Sequence, residues 1–212
     1  MENNGYLTPA GFGEAEYVEK RSRFLSKVWK IETEKEALEH LAACRETYWD
    51  ASHNVYCYRV KNGGIMRYSD DGEPGGTAGM PAINVFLKEE IQDFCCVITR
   101  YFGGTLLGAG GLARAYSHTA KLALKAAGIA EARLWRELLV GCPYGLYERI
   151  RRGLLERGAV VENEDFASDV LITVLIQSEQ TEDICAKITE LAAGQTEIQT
   201  GEERFRFVRR ND

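Results

Sequence analysis

Eleven of the 21 glycines in this 212-residue chain fall between residues 63 and 111, and that clustering constrains the fold more than any other feature. Glycine reaches positive φ without penalty and lets backbone approach backbone or ligand closely. Nine of the eleven fall in two loops. One is SDDGEPGGTAGMP, residues 69–81. The other lies inside TRYFGGTLLGAGGLARAYS, residues 99–117.

The segments around these loops alternate between strand and helix periodicity. RSRFLSKVWKI reads as a strand. Thr33 and Glu36 fit a capping box ahead of a helix whose apolar face is Ala37, Leu38, Leu41, Ala42 and Cys44. HNVYCYRV and IMRYS flank Asn62-Gly63, a hairpin signal. Ile83, Phe86, Leu87 and Ile91 predict a short helix after Pro81. FCCVITRYF predicts a buried strand. The second loop, residues 103–111, feeds a long helix ending near Gly128, a fitting C-cap. A domain boundary is therefore expected between Gly128 and Arg133, giving domains 1–132 and 133–212. The second half reads LWRELLVGC (strand), a helix through Leu146, Tyr147, Ile150 and Leu154, AVVENEDF and DVLITVLIQ (strands), a helix with Ile184, Ile188 and Leu191, and ERFRFVR (strand). That βαββαβ order is ferredoxin-like. The expected class is α+β in two domains.

Hydrophobic residues make up 45% and charged residues 27%, which suits a packed globular chain. No run of about 18 apolar residues offers a membrane span, and the polar, acidic N-terminus has no signal-peptide pattern. A cytoplasmic protein without membrane contact is expected. The six cysteines form no CxxC pair and read as reduced, mostly buried thiols. The net charge of −6 opposes general nucleic-acid adhesion. Residues 1–133 hold 16 basic against 17 acidic side chains, and residues 134–212 hold 10 against 15. A nucleic-acid surface would have to be a local patch in the first half.

Two loops and one helix could carry chemistry. In the first loop Asp70, Asp71 and Glu73 lie close enough in sequence to hold a divalent cation or to shift one another's pKa. Equally, Asp-Gly and Pro-Gly make an ordinary acidic turn. In the second, a glycine loop between strand and helix can bind an anion at the helix N-terminus, with Arg100 and Arg114 as neutralising groups. The G-x-G-x-x-A match at Gly108–Ala113 is discounted, because its loop is too long and no acidic strand end follows. Along the helix, Arg114, His118, Lys121 and Lys125 form a narrow basic stripe. Leu112, Ala115, Tyr116, Thr119, Leu122, Ala123 and Ala126 take the core side. The stripe suits a phosphate backbone or an acidic partner, or is a plain solvated face. Lys20, Arg21, Arg23 and Lys27 would extend it if they lie nearby. Catalytic signatures are thin: there is no G-x-S-x-G and no H-E-x-x-H. His40 is expected on a helix surface and His53 at a strand start. A nucleophilic Cys57 or Cys95 would need to meet His53.

The two loop sequences resemble the signatures of the IMPACT/YigZ-like family, SDDGEPxGTAGxP and TRYFGGxxLGxGGLxRAY. Lys20-Arg21-Ser22-Arg23-Phe24 and His53-Asn54 add to the likeness. The resemblance implies a first domain like domain 2 of ribosomal protein S5, an α/β sandwich, and a second like the ferredoxin-like domains of elongation factor G. It also implies a translation-linked regulatory role. In eukaryotic relatives that role runs through a co-activator of an amino-acid-starvation kinase and an RWD domain. Here the pattern opens directly on the shared domain, so the kinase-pathway role is not expected.

The leading expectation is a binding module for RNA, ribosome or a translation-associated protein, without sequence-specific DNA binding. Its surface would be Arg100, Gly103, Gly104, Gly108, Gly110, Gly111, Arg114, His118, Lys121 and Lys125. The acidic loop with Ser69, Gly72, Pro74, Thr77 and Gly79 would shape the rim, and His53 is a further motif residue. No cofactor is expected, apart from an optional divalent cation at Asp70, Asp71 and Glu73. The rival is a small-molecule enzyme using those three carboxylates with Arg100 and Arg114.

Overall fold

The computed structural model describes residues 5–210; residues 1–4 and 211–212, the outer ends of the two expected domain ranges, lie outside the described residues. The chain divides into two compact units, Tyr6–Ala132 with residues 207–210, and Arg133–Arg206 with Gly5.

The first unit is built on an antiparallel five-stranded sheet. Its strands are β2 (Gly13–Glu19), β3 (Ser22–Lys30), β4 (His53–Val60), β5 (Ile65–Ser69) and β6 (Phe94–Tyr101), in the order β2-β3-β6-β4-β5. The near-continuous apolar run of β6 has a simple cause: both faces of this central strand are covered. Phe94, Cys96 and Ile98 enter one core with α2 (Gly79–Lys88) and α3 (Ala109–Ala127). Cys95 and Val97 enter the other, with α1 (Glu34–Thr47). The capping box forms, with the Glu36 N–H donating to Thr33 Oγ1 at 3.3 Å.

Several boundaries differ from the sequence reading. Two strands precede RSRFLSKVWKI. One is β2, whose GEAEYVE alternation puts Ala15 and Tyr17 against the core and Glu14 and Glu16 outward. The other is β1 (Tyr6–Pro9), too short to show a period. The hairpin between β4 and β5 closes from Val60↔Ile65 through a 3₁₀ turn rather than a two-residue turn. Helix α2 begins two residues before Pro81, which a first-turn proline permits, and Ile91 lies beyond its end though fully buried. Helix α3 ends where expected, at Gly128 with φ of +72°.

Strand β7 (Ile129–Cys142) runs from one unit into the other. Its first four residues pair with β1 and residues 135–142 with β9 (Val170–Gln177). With α4 (Tyr144–Leu155), β8 (Val160–Phe166), α5 (Thr181–Leu191) and β10 (Glu197–Arg209) the second unit follows the expected βαββαβ order, and its strands lie β10-β7-β9-β8. Leu138, Val140, Ile172 and Val174 pack there against Ile150, Leu154, Ile184 and Ile188. In β8 the pairing with β9 shifts register between Val161 and Asn163. The two-domain α+β class holds. All six cysteines are unpaired, five of them buried.

Candidate functional site

The acids of the first loop do not converge. Asp70 turns inward as a helix cap. Its carboxylate accepts N–H groups of Gly76 (2.7 Å), Ala78 (3.0 Å) and Gly79 (2.8 Å) at the start of α2. Burial opposes its charge, but the three backbone donors prevail and hold the carboxyl below its ordinary range. Asp71, at φ of +44°, accepts the Asn54 N–H at 2.6 Å and Arg45 Nη2 at 3.0 Å. The Asp71 N–H donates to Ser69 Oγ, and the Thr77 hydroxyl closes the loop on the Pro74 carbonyl. Glu73 goes elsewhere again, to Arg100. Three carboxylates with separate partners make no cation site, and among the described residues no three His, Cys, Asp or Glu side chains gather to hold a metal ion. The optional cation at Asp70, Asp71 and Glu73 is thereby corrected.

Glu73 and Arg100 are the buried centre of the molecule's polar chemistry. They are 8% and 4% exposed, and Arg100 Nη1 meets Glu73 Oε1 at 2.5 Å. The Tyr116 hydroxyl donates to the same oxygen at 2.7 Å. Burial first, then the Glu73 charge, push that hydroxyl far above the phenol range, so it remains a donor. Arg100 Nη2 donates to Ser22 Oγ, its guanidinium lies over the rings of Phe24 and Phe102, and its Nε is buried without a protein partner. The chain puts these groups together because β6 ends at residues 100–101 beside His53, its register partner on β4. His53 Nδ1 contacts the Asp71 carbonyl at 2.8 Å, and its Nε2 lies 3.8 Å from Glu73 Oε2.

Above this floor is a cleft of about 380 Å³. Gly72, Glu73 and Pro74 of the first loop line one side. Phe102, Leu106, Leu107 and Gly108 of the second line the other. The two glycine-rich loops therefore share one cleft. The start of α3 opens onto it: Gly108 is the N-cap, and no side chain caps the helix.

The basic stripe is exposed as its spacing predicts. Arg114, His118, Lys121 and Lys125 all face solvent. On the core side Leu122 is only half-buried and Ala126 is exposed, while Ala120, Leu124 and Ala127 are buried instead. A groove of about 620 Å³ lies between α3 and the β2–β3 turn. Lys20, Tyr17 and Glu19 line it from the turn side, and Gly111, Arg114 and His118 from the helix side. Of the four N-terminal cations, Lys20 joins this groove. Lys27 lies over the Tyr48 ring at the end of α1 and Arg23 pairs with Glu16. Both sit at odd positions of β3, opposite the face carrying Phe24 and Val28 to the α3 core. That strand alternation overturns their inclusion in the patch.

The remaining glycines divide by role. A Cβ on Gly103 would run into the Arg21 and Ser22 backbone, so its position is set by packing of the β2–β3 turn. Gly104 and Gly108 have open space and positive φ, and Gly110 meets only the Arg114 side chain. A Cβ on Gly79 would crowd the Ser69 backbone, and Gly72 lies against the His53 ring. Cys57 and Cys95 are no nucleophiles. Burial drives both thiols well above their ordinary range, and both lie within the cores. His40, expected on a surface, is half-buried and stacks on Trp29 at 4.4 Å. Sequence reasoning passed over Tyr17 and Tyr116. The alternation of GEAEYVE held the signal for the first. Nothing local pointed to the second, which reads as ordinary helix core.

Comparison with known proteins adds a second line of observation. The sequence profile of the Impact N-terminal domain matches residues 20–124, and that of a domain of unknown function (DUF1949) matches residues 140–195. The chain is 34% identical over 200 residues to "IMPACT family member YvyE" of Bacillus subtilis, covering 94% of this chain and 92% of that protein. "IMPACT family member YigZ" of Escherichia coli is 27% identical, covering 87% and 92%. A crystal structure described as that of an hypothetical protein superposes with a TM-score of 0.60 at 26% identity, covering 94% of this chain and 98% of that one.

Proposed function

The chain belongs to the IMPACT family, and from that premise we propose that it is a translation-linked binding protein that holds RNA in the groove between α3 and the β2–β3 turn. One observation carries the reading: Lys20 and Arg114 line this groove from opposite sides, and Lys121 and Lys125 continue the exposed face of α3. Arg23, Arg45 and Arg100 are paired with acids. Among the described residues Arg114, Lys121 and Lys125 have no ion-pair partner, and Lys20 stands across the groove from Arg114. At the groove wall Tyr17 and His118 pack ring to ring at 4.7 Å, giving an aromatic surface beside the cations. Glu19 is the one acid among the lining residues, and it accepts the Tyr17 hydroxyl.

The binding reading is favoured over the small-molecule set because Arg114 lines the groove while Arg100 and Glu73 pair with each other at the floor of the cleft. Reduced cysteines fit a cytosolic setting. Among the described residues no helix is long and apolar enough to cross a membrane.

The test is fluorescence anisotropy with single-stranded RNA across a salt series. Four phosphate contacts, from Lys20, Arg114, Lys121 and Lys125, give a log–log salt slope of about −3, at roughly 0.7 per contact. Arg114→Ala should weaken binding and flatten the slope by about 0.7 without unfolding the protein. Binding that ignores salt, or an Arg114→Ala variant that binds as wild type, would refute the assignment.

A further inference from the structure

His53 Nε2 and Glu73 Oε2 both line the floor of the cleft, 3.8 Å apart. The Asp71 carbonyl can only accept, so its 2.8 Å contact places the proton of His53 on Nδ1. In that tautomer Nε2 is the ring's acceptor, and it lies 3.8 Å from Glu73 Oε2. Glu73 Oε1 is already taken by Arg100 and Tyr116, which leaves Oε2 as the oxygen with capacity. At 3.8 Å the two atoms are too far apart to bond each other. They are well placed for one NH₂ group about 2.9 Å from both.

The walls are apolar. Phe102 and Leu106 are 48% and 82% exposed, and Pro74, Leu107 and Leu112 complete the lining. One face of Phe102 meets the Arg100 guanidinium at 5.5 Å, and half of its surface remains free. A volume of about 380 Å³ lies at the small end of ligand sites, roughly 300–1,000 Å³. It fits one planar ring system with a sugar. The uncapped start of α3 at Gly108 and Ala109 borders the same space and suits an attached phosphate. Leu107 lines both the cleft and the basic groove, so a strand laid in the groove reaches the cleft by turning out one base.

We propose that this cleft receives a single unpaired nucleobase bearing an exocyclic amine, with the amine on His53 Nε2 and Glu73 Oε2 and the ring face on Phe102. Adenine, cytosine and guanine carry that amine. Uracil offers one N–H flanked by two carbonyl oxygens, which would oppose the two acceptors of the floor. The proposal rests on the RNA reading for how the base arrives, but base selectivity is a separate property of the cleft.

The experiment compares equal-length oligo(A), oligo(C) and oligo(U) by anisotropy, and AMP, CMP and UMP by calorimetry. It uses the full chain and the variants His53→Leu, Phe102→Ala and Arg114→Ala, each checked for folding by circular dichroism. The expected result is A and C binding about tenfold or more tighter than U. His53→Leu and Phe102→Ala should abolish that preference, while Arg114→Ala weakens all three oligomers alike. Phe102 is half exposed, so its variant keeps the test valid if His53→Leu fails to fold. Equal affinity for A and U, with salt-dependent binding lost in Arg114→Ala, overturns the cleft and leaves the RNA groove standing. AMP binding that needs His53, with no RNA bound, supports the cleft and sinks the groove. Binding of neither overturns both.

Discussion

Glu73→Gln isolates the contribution of charge at the buried centre of the first unit. The substitution keeps an amide oxygen where Arg100 and Tyr116 can still donate, so shape and bond count barely change. What disappears is the negative charge opposite a guanidinium that is 4% exposed. Breaking a buried pair from one side costs about 3–5 kcal/mol, because the surviving charge stays desolvated. The retained acceptor puts the expected loss near the lower end, about 3 kcal/mol. For a domain of this size that lowers Tm by on the order of 10 °C. The paired substitution Glu73→Gln with Arg100→Met removes both charges, so it should cost less than the sum of the singles. A coupling of about 2 kcal/mol is expected from the double-mutant cycle. Urea unfolding followed by far-UV circular dichroism measures each stability, with the m-value as the check on two-state behaviour. Glu73→Gln within about 0.5 kcal/mol of wild type, the scatter of a surface substitution, would refute the reasoning. So would strict additivity in the cycle.

Other substitutions probe the loops. Asp70→Ala should cost about 1–2 kcal/mol at neutral pH, since it uncaps α2. Because the folded carboxyl sits below its ordinary value of 3.8, its contribution is present above about pH 4 and fades as pH falls through the folded value. Wild type and variant should therefore converge in stability at acid pH in a denaturation series, and a gap unchanged by pH would refute the cap. Gly103→Ala should destabilise by about 3 kcal/mol because its Cβ would enter the Arg21–Ser22 backbone. Gly110→Ala, inside α3 with only the Arg114 side chain nearby, should instead stabilise by about 0.5–1 kcal/mol. Thermal melts that rank the two glycines the other way would reverse the roles given to them. For His40, burial against Trp29 holds the ring below its ordinary 6.5. Its contribution to stability is therefore lost as pH falls below that value, and an NMR titration of His40 midpoint above 6.5 would contradict the packing.

Local pattern carried far into this protein. The capping box at Thr33 and Glu36, the glycine stop at Gly128, the buried run of β6 and the βαββαβ order of the second half each depend on residues within a few positions of one another. Such signals survive because turn chemistry and side-chain periodicity act at short range. The exposed stripe of Arg114, His118, Lys121 and Lys125 was legible for the same reason. So was the chemistry of the two glycine loops, though not its use: the acids of 69–81 advertise a common ligand, yet each has a different private partner.

The partners were decided by contacts between residues far apart in the chain. Glu73 finds Arg100 and Tyr116, Asp71 finds Arg45 and Asn54, and Lys20 rather than Lys27 reaches the groove beside Arg114. In each case the outcome turns on strand register and on which sheet face a residue takes, and a shift of one position along β3 or β6 would exchange the faces. Short-range pattern carries most of the elements, the loop chemistry and the family likeness, but not β1 or β2. The tertiary structure alone decided which charges are buried against each other and which remain free to meet a ligand. Burial and pairing are properties of neighbours in space, and strand order β2-β3-β6-β4-β5 brings together residues that local sequence keeps apart.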